Sequence, residues 1–450
     1  MRRMNKHATR SVQFIGLTGG VNVSQAPEQI NSTEMQVAQN FIYALDSKRL
    51  TGRGGLGKVY TMDVTIRDTF YDVDTNILIL FTGDYKAYRY ILGQEPIYIG
   101  DLSGSSLPMC AKFMDKIWIA SGGKLQYYDY TADGQLVTVD NSPTCNIVFQ
   151  RFSRIAVSMD GTEGFYLSAV GDGTGWEENT NRQDQSQWLE VGYGDSGTII
   201  AIVPLATDII FIKSNGKIYQ LAGDADPTNW TVTEVASDTD PAGTKCAVNI
   251  GNSVIYLSIR GLKTLAAVME YGNIATADIG DRFNSLITKN MYNPRFFHLK
   301  RHSMLLIRPT SDYTYFVAYN YLLGSATTLK FNVPIYSICE TTDDIIVTSE
   351  GTIYRWDDVF TDDDGAPIEY ELKPQAVIGA ERMLMKSVDT KFSADYAGNA
   401  QFVEGKLNVT VPTASRNKFR CNHSTDCIDI TITSHDRFTV DHIIIEVADL

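Results

Sequence analysis

Residues 207–223 read TDIIFIKSNGKIYQLAG, and their pattern sets the fold class. Residues 209–212 are apolar, a turn of Ser214, Asn215, Gly216 and Lys217 follows, and a second apolar run then carries Tyr219. Two runs of β-formers joined through Asn-Gly read as a β-hairpin. The same grammar recurs at 76–92 (NILILFTGDYKAYRYIL), 115–130 (DKIWIASGGKLQYYDY), 252–268 (NSVIYLSIRGLKTLAAV) and 343–358 (DDIIVTSEGTIYRWDD). Ser121-Gly-Gly-Lys124 and Ser349-Glu-Gly-Thr352 are near-equivalents of the turn at 214–217.

Hairpins recurring about every 40–50 residues have the spacing of propeller blades. The chain is therefore expected to be all-β, with a β-propeller of about six or seven blades over residues 62–365. A large sandwich or prism built of meanders is the competing arrangement. Residues 1–61 differ in texture: Thr33 and Gln36 fit a capping box, and Met35, Ala38, Phe41, Ile42 and Leu45 recur at helical spacing. A short helix is expected at about 33–46. A second is expected within 279–291, where Ile279, Phe283, Leu286, Ile287 and Met291 follow Asp278. Residues 171–198 are polar and Gly-rich and read as a long loop. Beyond 365, CIDITITS (427–434) and FTVDHIIIEV (438–447) alternate with period two, so 366–450 is expected to form a sandwich-like β platform, completed by N-terminal residues.

The bulk numbers narrow the function. The 450 residues carry 24 Tyr, 19 Phe and 35 Gly but only 13 Pro, a composition of short strands and tight turns. The formal net charge of −14 argues against broad attachment to nucleic acid or anionic lipid, which needs clustered Lys and Arg. It fits a surface past which DNA slides without sticking. The cysteines at 110, 145, 246, 339, 421 and 427 form no CxxC pair and read as reduced thiols, with a local Cys421–Cys427 pairing as the minor option. The opening MRRMNKHATR is basic but is followed by no apolar stretch, so no secretory signal is expected. No apolar run approaches the ~20 residues of a membrane helix.

Catalytic patterns are thin. Asp172-Gly-Thr-Gly-Trp176 is superficially close to a sialidase Asp box but lacks its Ser-x-Asp-x-Gly-x-x-Trp spacing, and reads as a turn pinned by a buried Trp. His298 and His302 stand four apart, yet HLKRH lacks the Glu of HExxH and its flanks read as a strand. GRGGLG at 52–57 precedes KVYTMDV, a strand-like run, and so is a turn rather than a phosphate cradle. No Walker A, GxGxxG or GxSxG pattern occurs. No catalytic, cofactor or metal site is assigned, and the chain is not expected to be an enzyme. Asp357, Asp358, Asp362, Asp363 and Asp364 form an acidic cluster without EF-hand spacing, whose plain reading is a solvated loop. Arg2, Arg3, Lys6 and Arg10 make a basic arm, read as a segment that orders on docking to an acidic neighbour rather than as a disordered terminus.

A resemblance adds to this reading. Gly19-Gly20-Val21-Asn22, Pro27, Ile30, Glu34, Asn40, Leu50 and Arg53-Gly54-Gly55 resemble the start of phage tail tube and nozzle proteins. Phe165-Tyr166-Leu167-Ser168, Gly171-Asp172, Trp176, Gly194-Asp195 and Ile199-Ile202-Pro204-Leu205 continue it. Phe211-Ile212-Lys213, Ile218-Tyr219, Gly223-Asp224, Asn229-Trp230, Gly251-Asn252 and Tyr256-Leu257-Ser258 complete a succession similar to the central region of podovirus nozzle proteins, also called packaged-DNA stabilisation proteins or tail tubular protein B. It covers about the first two-thirds of the chain, and order and spacing carry it more than any single motif. The resemblance implies a virion tail protein assembled in the host cytoplasm. It implies a homohexameric ring below the portal and its adaptor, bearing fibres or spikes. It also implies a channel that retains packaged double-stranded DNA and then conducts it without specific binding. In that setting the Asp357–Asp364 cluster (357, 358, 362, 363, 364) is a candidate channel or gate loop, and the basic arm a candidate docking arm. The alternative is a receptor- or glycan-binding, or glycan-cleaving, propeller of a virion, in which Trp176, Trp188 and Trp230 form an exposed patch beside carboxylates.

Overall fold

The chain winds its middle section into antiparallel four-stranded sheets, each strand hydrogen-bonded to the next in sequence. The structure is a computed structural model and describes residues 9–449 apart from 133, 179–181, 183, 206, 225, 238–240 and 269–272. Blades 1 to 5 occupy residues 66–101, 109–138, 147–190, 199–237 and 247–278. Blade 6 occupies 295–330. Blade 7 takes three strands from 337–357 and its outermost strand, Gly55–Thr61, from the N-terminal segment.

The apolar runs follow from this arrangement. Successive side chains of a strand point to opposite faces, and a blade is packed on both faces. Thus Ile209 and Phe211 enter a core shared with Phe165 of blade 3, whereas Ile210 and Ile212 enter one shared with Val254 and Tyr256 of blade 5. Ile117 and Ile119 pack toward Ile79 of blade 1, and Trp118 and Ala120 toward Ile155 of blade 3. The remaining interfaces join blades 5 and 6 (Leu257, Leu305), 6 and 7 (Leu306, Val347) and 7 and 1 (Ile346, Leu80). Seven apolar clusters therefore fill seven gaps, and the propeller is closed. At the quoted hairpin, Gly216 N–H donates to Lys213 O at 3.0 Å and Gly216 takes a left-handed φ of 77°, which glycine tolerates at no steric cost.

The expected helix at 33–46 does not form. Glu34–Gln39 and Phe41–Tyr43 are strands, separated by a left-handed bend at Asn40 with φ of 62°. Tertiary pairing overrides the local helical spacing. Glu34–Gln39 pairs with Tyr370–Pro374 on one side and meets the outer strand of blade 6 at Thr328 on the other. The presumed cap residue Gln36 instead donates to Pro374 O at 2.8 Å. Within 279–291 only Asn284–Thr288 is helical, the one α-helix among the described residues, with Phe283 and Ile287 buried against blades 5 and 6. The loop read at 171–198 contains Gln187–Glu190, the outer strand of blade 3.

The C-terminal region packs two sheets face to face. One holds Val377–Ser393, Arg416–Ile428 and Thr439–Asp449, with Thr9–Ile15, Phe41–Tyr43 and Leu50–Gly52 from the other chain end. The second runs through Glu34–Gln39, Tyr370–Pro374, Thr431–Ser434, Asn399–Glu404 and Leu407–Pro412, and is continuous with blade 6 as a ten-stranded sheet. One core joins them, with Phe14, Met35, Phe41, Tyr370, Met385, Phe402, Ile432 and Ile445 all at 1% exposure or less. The protein is thus all-β, a seven-bladed propeller fused to a β-sandwich. All six cysteines are free. Among the described residues no helix is long and apolar enough to cross a membrane.

Candidate functional site

The acidic cluster sits where the last strand of blade 7 turns toward the sandwich. The structure divides it. Asp363 is fully buried: Arg53 Nη1 donates to its Oδ1 at 2.8 Å and Nη2 to its Oδ2 at 2.6 Å, with both side chains at 0% exposure. A carboxylate locked in this fork cannot line a channel, so Asp363 is a clamp between the propeller and the N-terminal segment. Asp362 Oδ1 accepts the Gly365 N–H at 2.7 Å and Asp364 Oδ2 accepts the Tyr354 hydroxyl at 3.0 Å, so both shape the turn. Asp357 caps the Val359 N–H at 3.0 Å, and Asp358 pairs with Arg437 of the sandwich at 2.8 Å.

Asp357 and Asp358 line a crevice of about 640 Å³ between blades 6 and 7 and the sandwich. Its acids also include Asp46, Asp343 and Asp344, and its bases Arg49, Arg301 and Arg437 with His302. Most of these charges are already answered. Arg49 meets Asp441 at 2.5 Å, Arg301 meets Glu340 at 3.5 Å, and Arg355 lies 3.8 and 3.6 Å from Asp344 and Asp357. The crevice is thus lined largely by side chains that already pair with one another.

His298 and His302 do not converge. His298 lies on the strand Arg295–Leu299 beside Tyr321, whereas His302 Nδ1 lies 3.0 Å from Glu340. Burial, reinforced by Lys300, lowers the pKa of His298 from 6.5 to about 4. Among the described residues no three His, Cys, Asp or Glu side chains gather as a metal site. GRGGLG at 52–57 admits the backbone of Asp357 and Asp362 and the ring of Phe360 against Gly54, Gly55 and Gly57, where a Cβ would collide. Arg2, Arg3 and Lys6 lie outside the described residues. Arg10 belongs to the sandwich strand Thr9–Ile15, 3.7 Å from Asp449.

The tryptophans do not form one patch. Trp176 is buried between blades 2 and 3 and donates to Gly173 O at 2.9 Å. Trp230 stacks on Phe152 at 5.3 Å, and Trp188 stands on the outer strand of blade 3. None lines a described cavity.

Sequence reading did not find the polar plug on the propeller axis. Lys245, just before blade 5, reaches Pro108 O, just before blade 2, at 2.5 Å, and pairs with Asp68 of blade 1, which Arg295 of blade 6 also clasps. Burial alone would raise the Asp68 pKa, but Arg295 and Lys245 hold it at about 2. The one available signal was a lone charge at the end of an apolar run, as at Arg295 before Phe296 and Phe297, and Arg308 after residues 304–307.

No protein-family profile and no curated protein matches the chain. Among solved structures, an extracellular domain assigned to a one-component system of B. thetaiotaomicron aligns with a TM-score of 0.47 and 11% identity over 91% of this chain. The chain spans 64% of the length of that structure.

Proposed function

We propose that the chain is a structural subunit of a short-tailed phage tail nozzle, a ring of identical copies around the DNA-exit channel. The observation that carries the reading is the sheet that runs unbroken from blade 6 into the sandwich. Together with the buried Arg53–Asp363 clamp, it couples the two units without a flexible linker. A tube wall under pressure needs such stiffness, whereas an enzyme closing on substrate needs a hinge. Because Lys245 and Asp68 meet across the propeller axis, DNA would pass between copies and not through a propeller. The net charge of −14 supports passage without adhesion. Heterologous contacts among identical copies close such a ring. Electron microscopy of the assembled protein tests this: closed sixfold rings are expected, and a monomer that never joins portal-adaptor complexes would refute it.

A further inference from the structure

The axial plug lies beneath a second cavity that neither the nozzle reading nor the sequence motifs use. It opens at the end of the axis where the innermost strands begin and measures about 420 Å³. Arg67, Lys245, Arg295 and Arg308 contribute to its wall, and Asp160 stands at its rim beside Asn146. With Asp68 below, four cations face two carboxylates.

Arg308 is the informative member. It is 4% exposed and stands directly opposite Arg295 across an antiparallel pair, where like charges destabilise. Asp68 serves Arg295 and Lys245 and accepts from Ser337 and the Thr69 N–H as well. For Arg308 there remain, among the described residues, a 3.5 Å hydrogen bond to Ile335 O and the face of Tyr313 at 4.3 Å, and its Nε has no partner there. A buried guanidinium without an anion is costly. Burial, with Arg295 nearby, accordingly lowers its pKa.

We propose that this cavity binds a small phosphate-class oxyanion, held chiefly by Arg308 with Arg67, Arg295 and Lys245 around it. Guanidinium forks match phosphate oxygens in geometry and charge. The cavity has room for the ion and its waters. Because the cations come from blades 1 and 6 and from the segment leading into blade 5, the anion staples the ring across its axis.

The test uses the full chain and inorganic phosphate, with chloride at matched ionic strength as reference. Phosphate is expected to raise the thermal midpoint in a saturable way. Arg308→Met strands no carboxylate, so its midpoint without phosphate should equal or exceed that of the parent. Its phosphate affinity by titration calorimetry should fall roughly ten-fold or more. No rise beyond chloride, or an equal response in Arg308→Met, overturns the proposal. Should Arg308→Met fail to fold, Arg67→Gln takes its place: weaker phosphate binding supports the site, and unchanged binding overturns it.

Discussion

Arg53 and Asp363 are separated by 310 positions, yet they meet with no solvent around either. Removing one partner of a buried ion pair leaves the other charge stranded, which costs about 3–5 kcal/mol. Asp363→Ala should therefore lose about that much stability in urea unfolding, whereas the double replacement Arg53→Met with Asp363→Leu should lose far less. Equal losses would mean that the pair does not act as a unit. His298 gives a pH signature. Its folded pKa of about 4 lies below its ordinary 6.5, so the unfolded chain takes up the proton first. Its contribution is complete above pH 6.5 and is lost as pH falls toward 4. His298→Phe should flatten the fall in unfolding midpoint between pH 6.5 and 4, and an unchanged slope would exclude His298 as its source. At this scale the sequence was least legible. The five clustered aspartates look alike in order, but only the fold decides that Asp363 is buried while Asp358 faces the crevice.

At the scale of elements, the legible parts were those whose pattern has a local cause. Strands packed on both faces must be apolar throughout, so runs such as 209–212 announced the blades. The strand Glu34–Gln39 was misread because Met35 and Ala38 satisfy helical spacing by chance, while its partners lie near 328 and 372. Likewise, nothing local in 55–61 indicates that it closes a blade begun at 337. That closure carries its own prediction. The Phe360 ring lies where a Cβ on Gly57 would stand. Gly57→Val should destabilise the whole propeller by about 1–3 kcal/mol, read as a lower midpoint of a single transition. A local change with an unaltered global midpoint would show that the strand is dispensable to closure.

For the whole molecule, both chain ends build the sandwich, and one sheet ties that sandwich to blade 6. Folding is therefore dominated by contacts distant in sequence, which propensity and spacing cannot reveal. The nozzle reading joins this stiff architecture to a net charge of −14 and to a succession of motifs resembling podovirus nozzle proteins. Its most direct test is electron microscopy of particles assembled without this chain. The account predicts heads that package DNA and then lose it, with the distal tail missing. Particles that keep their DNA behind a complete tail would contradict it.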